Sequence, residues 1–209
     1  MARKYTWLVI VGLVVVGIVA VRAVLRSGGA SLPVGQESPQ AVLRKLQRAL
    51  ADGDKAKFVE CFASSGGDHK AAVEALSDRA QAASRLRIAL RETYGKNAWD
   101  TFVGLQANPA AFAAFVWPRD EDVAAAAQIA IKGSEAQAEL PSGGGPLALK
   151  LEGVWRVEVF PRDNGVRDRR AALAGAAAAL DQARARIGQE GATPESLAQE
   201  VRKRLGGEP

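Results

Sequence analysis

Polar and apolar positions divide the chain into stretches of different period. Residues 5–21 (YTWLVIVGLVVVGIVAV) carry no charge, with Arg3 and Lys4 before them and Arg22 and Arg26 after them. Seventeen such residues form a helix of roughly 25 Å. Adding Ala23, Val24 and Leu25, with Arg22 snorkelling, brings it close to the roughly 30 Å of a hydrocarbon core. Residues 1–26 are therefore expected to be a membrane anchor or an export signal, with 5–25 in the bilayer. Residues 27–37 (SGGASLPVGQE) read as a flexible linker.

From 38 to 117 the spacing is helical. Ser38 is a predicted N-cap with Pro39 at the first helical position, followed by Val42, Leu43, Leu46, Ala49 and Leu50 on one face. Asp52-Gly53-Asp54 stops that helix, and Asp54 caps a second one carrying Phe58, Val59 and Phe62. After the turn at 64–67, Asp68 is the expected N-cap of a long helix over 69–94, with Gly95 past its end. Val73, Leu76, Ala80, Ala83, Leu90 and Tyr94 form a near-heptad stripe, flanked by Leu86 and interrupted by Arg87. Trp99, Phe102, Val103 and Leu105 predict a short helix. Asn108-Pro109 caps a further turn holding Phe112, Phe115 and Val116, and Trp117-Pro118 breaks it.

The period then changes to two. Ala127, Ile129 and Ile131 alternate with polar or small residues, as do Ala136, Ala138 and Leu140, then Leu147, Leu149 and Leu151, then Trp155, Val157 and Val159. Turns at 132–135, 141–146 and 152–153 separate the four segments. Side chains alternate faces in a strand, so this pattern predicts an antiparallel meander with one covered face. The expected fold class is α+β: N-terminal helices packed on one face of a four-stranded antiparallel meander, over residues 38–161. A transmembrane helix precedes this domain and a helical extension, 162–209, follows it. In that extension Asp163-Asn164-Gly165 opens a helix with Val166, Leu173, Leu180 and Ile187 seven apart. Thr193-Pro194 then caps a last helix with Leu197, Val201 and Leu205 on one face.

Three pieces of 38–160 carry a resemblance: PQAVLRKLQRALADGDKAKFVECF, AQIAIKGSEAQAEL and LALKLEGVWRVEVF. In this order they resemble the nuclear-transport-factor-two-like superfamily of cone-shaped α+β folds, in particular its membrane-anchored bacterial members. The long helix at 69–94, the lack of a strand before it and the helices after Val166 depart from that pattern. Enzymes of the superfamily work by acid–base chemistry in the cone and need a carboxylate, histidine or tyrosine there. The resemblance thus implies either a binding domain or a small-molecule enzyme.

Charge refines the picture. The chain has 28 basic and 23 acidic residues, and four of the basic ones lie in the first thirty. The rest is nearly neutral, which argues against a nucleic-acid partner. One cysteine, Cys61, excludes an internal disulfide and a CxxC metal site. An uncleaved anchor with the domain outside the cytoplasm is expected. The alternatives are a domain facing the cytoplasm, or cleavage near Val21-Arg22-Ala23 and secretion.

Candidate chemistry is sparse. Every residue on the expected inner face of the sheet is apolar, so no catalytic residue, metal site or cofactor is assigned. His69 reads as a solvated first-turn residue rather than a base, and Cys61 as a small core residue rather than a nucleophile. Asp120-Glu121-Asp122 favours a helix start or a turn over a metal site. Arg167, Arg169 and Arg170 lie where a helix dipole disfavours them, so an acidic partner or lipid headgroups would suit them. Arg202, Lys203 and Arg204 suit a helix C-terminus. Tyr94, Trp99, Phe112, Phe115 and Trp155 are the candidate lining of a ligand pocket, competing with a purely structural role in the core. The stripes at 73–94 and 166–187 are free to pair within one chain or between two. The expected function is a non-enzymatic, membrane-tethered binding or assembly module, with an acid–base enzyme of the same cone fold as the alternative.

Overall fold

The computed structural model describes residues 38–63, 66–117, 122–141, 146–160 and 165–206. The expected anchor (5–25), the linker, Asp120, Glu121, Asp163 and Asn164 lie outside the described residues. No helix among the described residues is long and apolar enough to cross a membrane.

Helix α1 (Pro39–Asp52) begins where expected, with the Ser38 side chain accepting from the Ala41 amide. It ends at Gly53, whose φ of 68° is costly for residues with a Cβ. Its apolar stripe is fully buried through Val42, Leu43 and Leu46, each worth about 1.5–3 kcal/mol of burial. Asp54 caps α2 (Lys55–Glu60) by accepting from the Lys57 amide. The chain then meets the sheet. Phe62 forms a parallel bridge to Val157, with the Val157 amide donating to Cys61 O at 2.8 Å and the Ala63 amide to Val157 O at 3.0 Å. Phe62 had been expected on the helical face.

Helix α3 (Gly67–Tyr94) starts two residues before the sequence expectation. Its cap is Gly66, with no side-chain hydrogen bond, and Asp68 lies in the first turn. Helices α4 (Ala98–Gly104), α5 (Pro109–Ala113) and α6 (Val123–Ala126) follow. Asp122 does start a helix, its carboxylate accepting from the Ala125 amide at 2.8 Å. Gln40 and Gln47 of α1 hold this short turn from both sides: Gln40 Nε2 donates to Ala124 O, and Gln47 Oε1 accepts from the Ala124 amide.

The strands β1 (Gln128–Lys132), β2 (Glu135–Glu139), β3 (Leu147–Glu152) and β4 (Val154–Glu158) form one antiparallel sheet in sequence order. The register pairs Ile129 with Ala138, Ala136 with Leu149, and Leu149 with Val157, so the apolar sets share one face. Gly153, at φ 77°, forms the tight turn between β3 and β4. Coverage is uneven. Trp155 and Val157 are buried, while Ile131 on the edge strand is 55% exposed.

Helix α7 (Val166–Arg186) and helix α8 (Pro194–Arg204) complete the chain. Residues Glu37–Pro209 form one unit, in which α7 packs along α3 more extensively than any other pair of elements touch. The two heptad stripes therefore meet within one chain. Three side-chain links show that the helices run parallel. Arg167 pairs with Asp68 at 3.0 Å, Arg85 with Asp181 at 2.9 Å, and the Tyr94 hydroxyl donates to Ala192 O at 2.8 Å. Alanines at 177, 179 and 183 let the two helices approach.

Among the described residues two buried clusters result. The sheet-side core joins α1, α2, the first half of α3, Phe115, Trp117 and the inner sheet face. The helical core joins the second half of α3, Trp99 and Phe102 of α4, Phe112 and Val116, Leu180 of α7, and Leu197 and Val201 of α8.

Candidate functional site

An open groove of about 640 Å³ runs along the seam between the two cores. Its size lies in the range of small-molecule sites, roughly 300–1,000 Å³. Leu76 and Arg79 of α3 line one wall, and Phe112 and Phe115 lie beside them. The sheet contributes the open end of the β3–β4 hairpin through Leu147, Ala148, Glu158 and Val159. Leu173 and Ala176 of α7 and Arg202 and Leu205 at the end of α8 close the other side. Among the described residues the lining is mostly apolar, with cations from the helices and one carboxylate, Glu158, from β4.

Arg79 shapes this seam. It is 6% exposed, and its guanidinium donates to Ala114 O at 3.0 Å and to Phe112 O, with its carbon 5.2 Å from the centre of the Phe112 ring. Burial pushes its pKa down to about 10, so the group is still charged at neutral pH. The carbonyls it holds belong to the stretch that crosses from one core to the other. Phe115, next in the chain, has a φ of 63°, a left-handed conformation uncommon outside glycine, asparagine and aspartate. Gln106 is a second buried polar peg, donating from Nε2 to Phe102 O and Ala198 O and tying α4 to α8.

The five aromatic residues expected to line a pocket do not converge. Phe112 and Phe115 line the groove. Trp99 stacks on Phe102, with ring centres 5.8 Å apart, inside the helical core. Trp155 is buried in the sheet-side core, where its indole N–H has no acceptor. Tyr94 holds the α7–α8 connection, donating to Ala192 O and accepting from the Gly188 amide at 3.3 Å.

His69 is 7% exposed rather than solvated: it meets the edge of Phe160 with ring centres 5.7 Å apart, and its Nδ1 has no partner. It does not line the groove. Cys61 is buried, and its thiol donates to Lys57 O at 3.3 Å. Arg167 finds an acidic partner in Asp68 of the same chain. Among the described residues no three His, Cys, Asp or Glu side chains cluster as a metal site would require.

A second depression, of about 440 Å³, lies along α1 and α2 and is lined by Arg44, Lys45, Arg48, Asp52 and Lys57. Its lysines are engaged, Lys45 with Glu60 and Lys57 with Asp54.

Arg79, Gln106 and Arg202 were not visible as site residues in the sequence. The available signal was a charged residue inside an otherwise buried stripe. Arg87 carries that signal in the stripe, but Arg79 is the more deeply buried of the two. Comparison with protein-family models, with characterised proteins and with solved structures finds no match to this chain, so the cone-fold resemblance gains no support from them.

Proposed function

We propose that this chain is a membrane-tethered binding module, held by residues 5–25, whose binding surface is the groove between its two cores. The observation that carries the proposal is the groove: an apolar trough of about 640 Å³ whose walls come from α3, the β3–β4 hairpin, α7 and α8. Such a concave, mostly apolar surface with a few fixed polar groups is the usual form of a ligand site. The uncharged run at 5–21 and the linker at 27–37 support tethering. The meander under N-terminal helices is consistent with a cone-like arrangement of 38–161.

Binding is favoured over acid–base catalysis by the lining. Among the described residues of the lining Glu158 is the carboxylate, and no histidine or tyrosine accompanies it. General acid–base chemistry works through positioned groups of tuned pKa, and the lining offers no such pair.

Two experiments test the proposal. Carbonate extraction of membranes should leave the full chain in the pellet, whereas deletion of residues 1–30 should release a folded fragment. Release of the full chain would remove the tether. Replacing Ala176 with Trp should fill the groove and abolish capture of an apolar photoreactive probe. Undiminished labelling in that variant would remove the groove as the binding surface.

A further inference from the structure

Among the described residues the groove holds a cation with no counter-ion. Arg202 lies in the last turn of α8 and lines the groove, and its Nε is sealed from solvent without a hydrogen-bond partner. The carboxylate nearest to it along α8, Glu200, is already shared by Arg186 at 2.6 Å and Arg204 at 3.2 Å. Arg79 is satisfied by the carbonyls of Phe112 and Ala114. Glu158, on β4, also lines the groove and makes no ion pair with Arg202 in the structure. Nε itself offers a ligand no surface, but the guanidinium as a whole brings an unpaired positive charge to an apolar wall, and an anion in the groove would balance it.

The rest of the trough asks for hydrocarbon. Leu76, Leu147, Leu173 and Leu205 present aliphatic surface from four different elements. Glu158 on the sheet side would repel an anion, so a ligand with one charged end has one favoured direction.

We infer that the groove takes a single-chain amphipathic acid, with its acyl chain along these leucines and its carboxylate on the guanidinium of Arg202. The inference rests on the binding-module proposal and names its ligand class. A carboxylate suits the planar guanidinium, which pairs with it through parallel hydrogen bonds.

The test uses the full chain in phosphatidylcholine nanodiscs, labelled with a diazirine-bearing dodecanoate and, in parallel, with the corresponding neutral dodecanol. The acid should label peptides spanning 173–176 or 202–205 about tenfold more than the alcohol, a charge-assisted hydrogen bond being the difference. Arg202→Met should lower acid labelling about tenfold and leave alcohol labelling unchanged, and Arg202→Lys should recover part of the loss. Unchanged hydrogen exchange in α3 would show that the Met variant is folded; if it is not, Arg202→Gln takes its place. Equal acid labelling of wild type and the Met variant, still within the groove, overturns the anion assignment while leaving the groove as a binding site. If Ala176→Trp blocks neither probe, the binding proposal itself fails. Displacement of the acid by phosphatidylglycerol in the disc, as strong as by unlabelled dodecanoate, overturns the single-chain assignment.

Discussion

Around Phe58, Phe62, Phe115 and Trp117 the rings touch one another at centre distances of 4.8–6.2 Å, and the surrounding strands are neighbours in sequence. The core that holds Leu180 adds alanines and leucines to a smaller ring cluster of Trp99, Phe102 and Phe112, and the links across it, Arg85 to Asp181 and Tyr94 to Ala192, join residues almost a hundred positions apart. One long helix, α3, serves both regions: Val73, Leu76 and Ala80 pack in the first, Ala83, Leu86 and Leu90 in the second. The sheet itself closes over short turns, but α1 and α2 reach it only across the length of α3, and the helical core likewise requires the end of the chain to return. The groove exists because the two cores do not merge where the chain crosses between them at 112–115.

The largest effects should come from emptying each core. Phe62→Ala and Phe102→Ala should each cost about 3–5 kcal/mol in denaturant unfolding. If the cores are energetically separate, the double variant should be additive within about 0.5 kcal/mol. A coupling above about 1 kcal/mol would make them one core with a surface cleft.

Arg79→Met should come next, at about 3 kcal/mol, because two buried carbonyls lose a charged donor and the left-handed Phe115 loses its support. Hydrogen exchange should rise on both sides of the seam in this variant. A rise on one side alone would break the account of Arg79 as the residue joining the cores.

Tyr94→Phe should cost about 1 kcal/mol, with faster exchange confined to 187–192. Faster exchange in the sheet would contradict the separation.

The smallest effect lies at Asp54. Its carboxyl is held below the ordinary value of 3.8, first by the Lys57 amide and then by the Lys57 ammonium. A carboxyl lowered on folding adds stability that is full above its unfolded value and is lost as the pH falls through the lowered one. Fraying of α2 should therefore begin only in acid below pH 3.8, and Asp54→Asn should show no such step.

The fold was legible where one periodicity held over several turns or strands. The period-two run from Ile129 to Val157 carried the strand order and the covered face, because a strand exposes its two faces at alternate residues. The caps at Ser38, Asp54 and Thr193 were legible for a local reason: their partners lie three residues away. Asp68 missed its expected role because the helix began earlier, at a glycine with no side chain to announce it. The bridge from Phe62 to Val157 was hidden, since a single parallel pairing leaves no period.

The groove was less legible still. Its walls come from heptad stripes whose mutual pairing a single sequence does not specify, and from a hairpin end that alternation places on a face but not beside α8. Arg79 is silent in the sequence because its acceptors are backbone carbonyls, which no residue identity signals. The first turn of a helix is usually exposed, which predicts a solvated His69, whereas Phe160, some ninety residues later, folds against it.

The most direct test is hydrogen exchange of the full chain in nanodiscs with and without dodecanoate. The account predicts slower exchange in 106–115 together with 173–176 and 202–205, segments that meet only at the seam. No change, or slowing confined to one core, would contradict it.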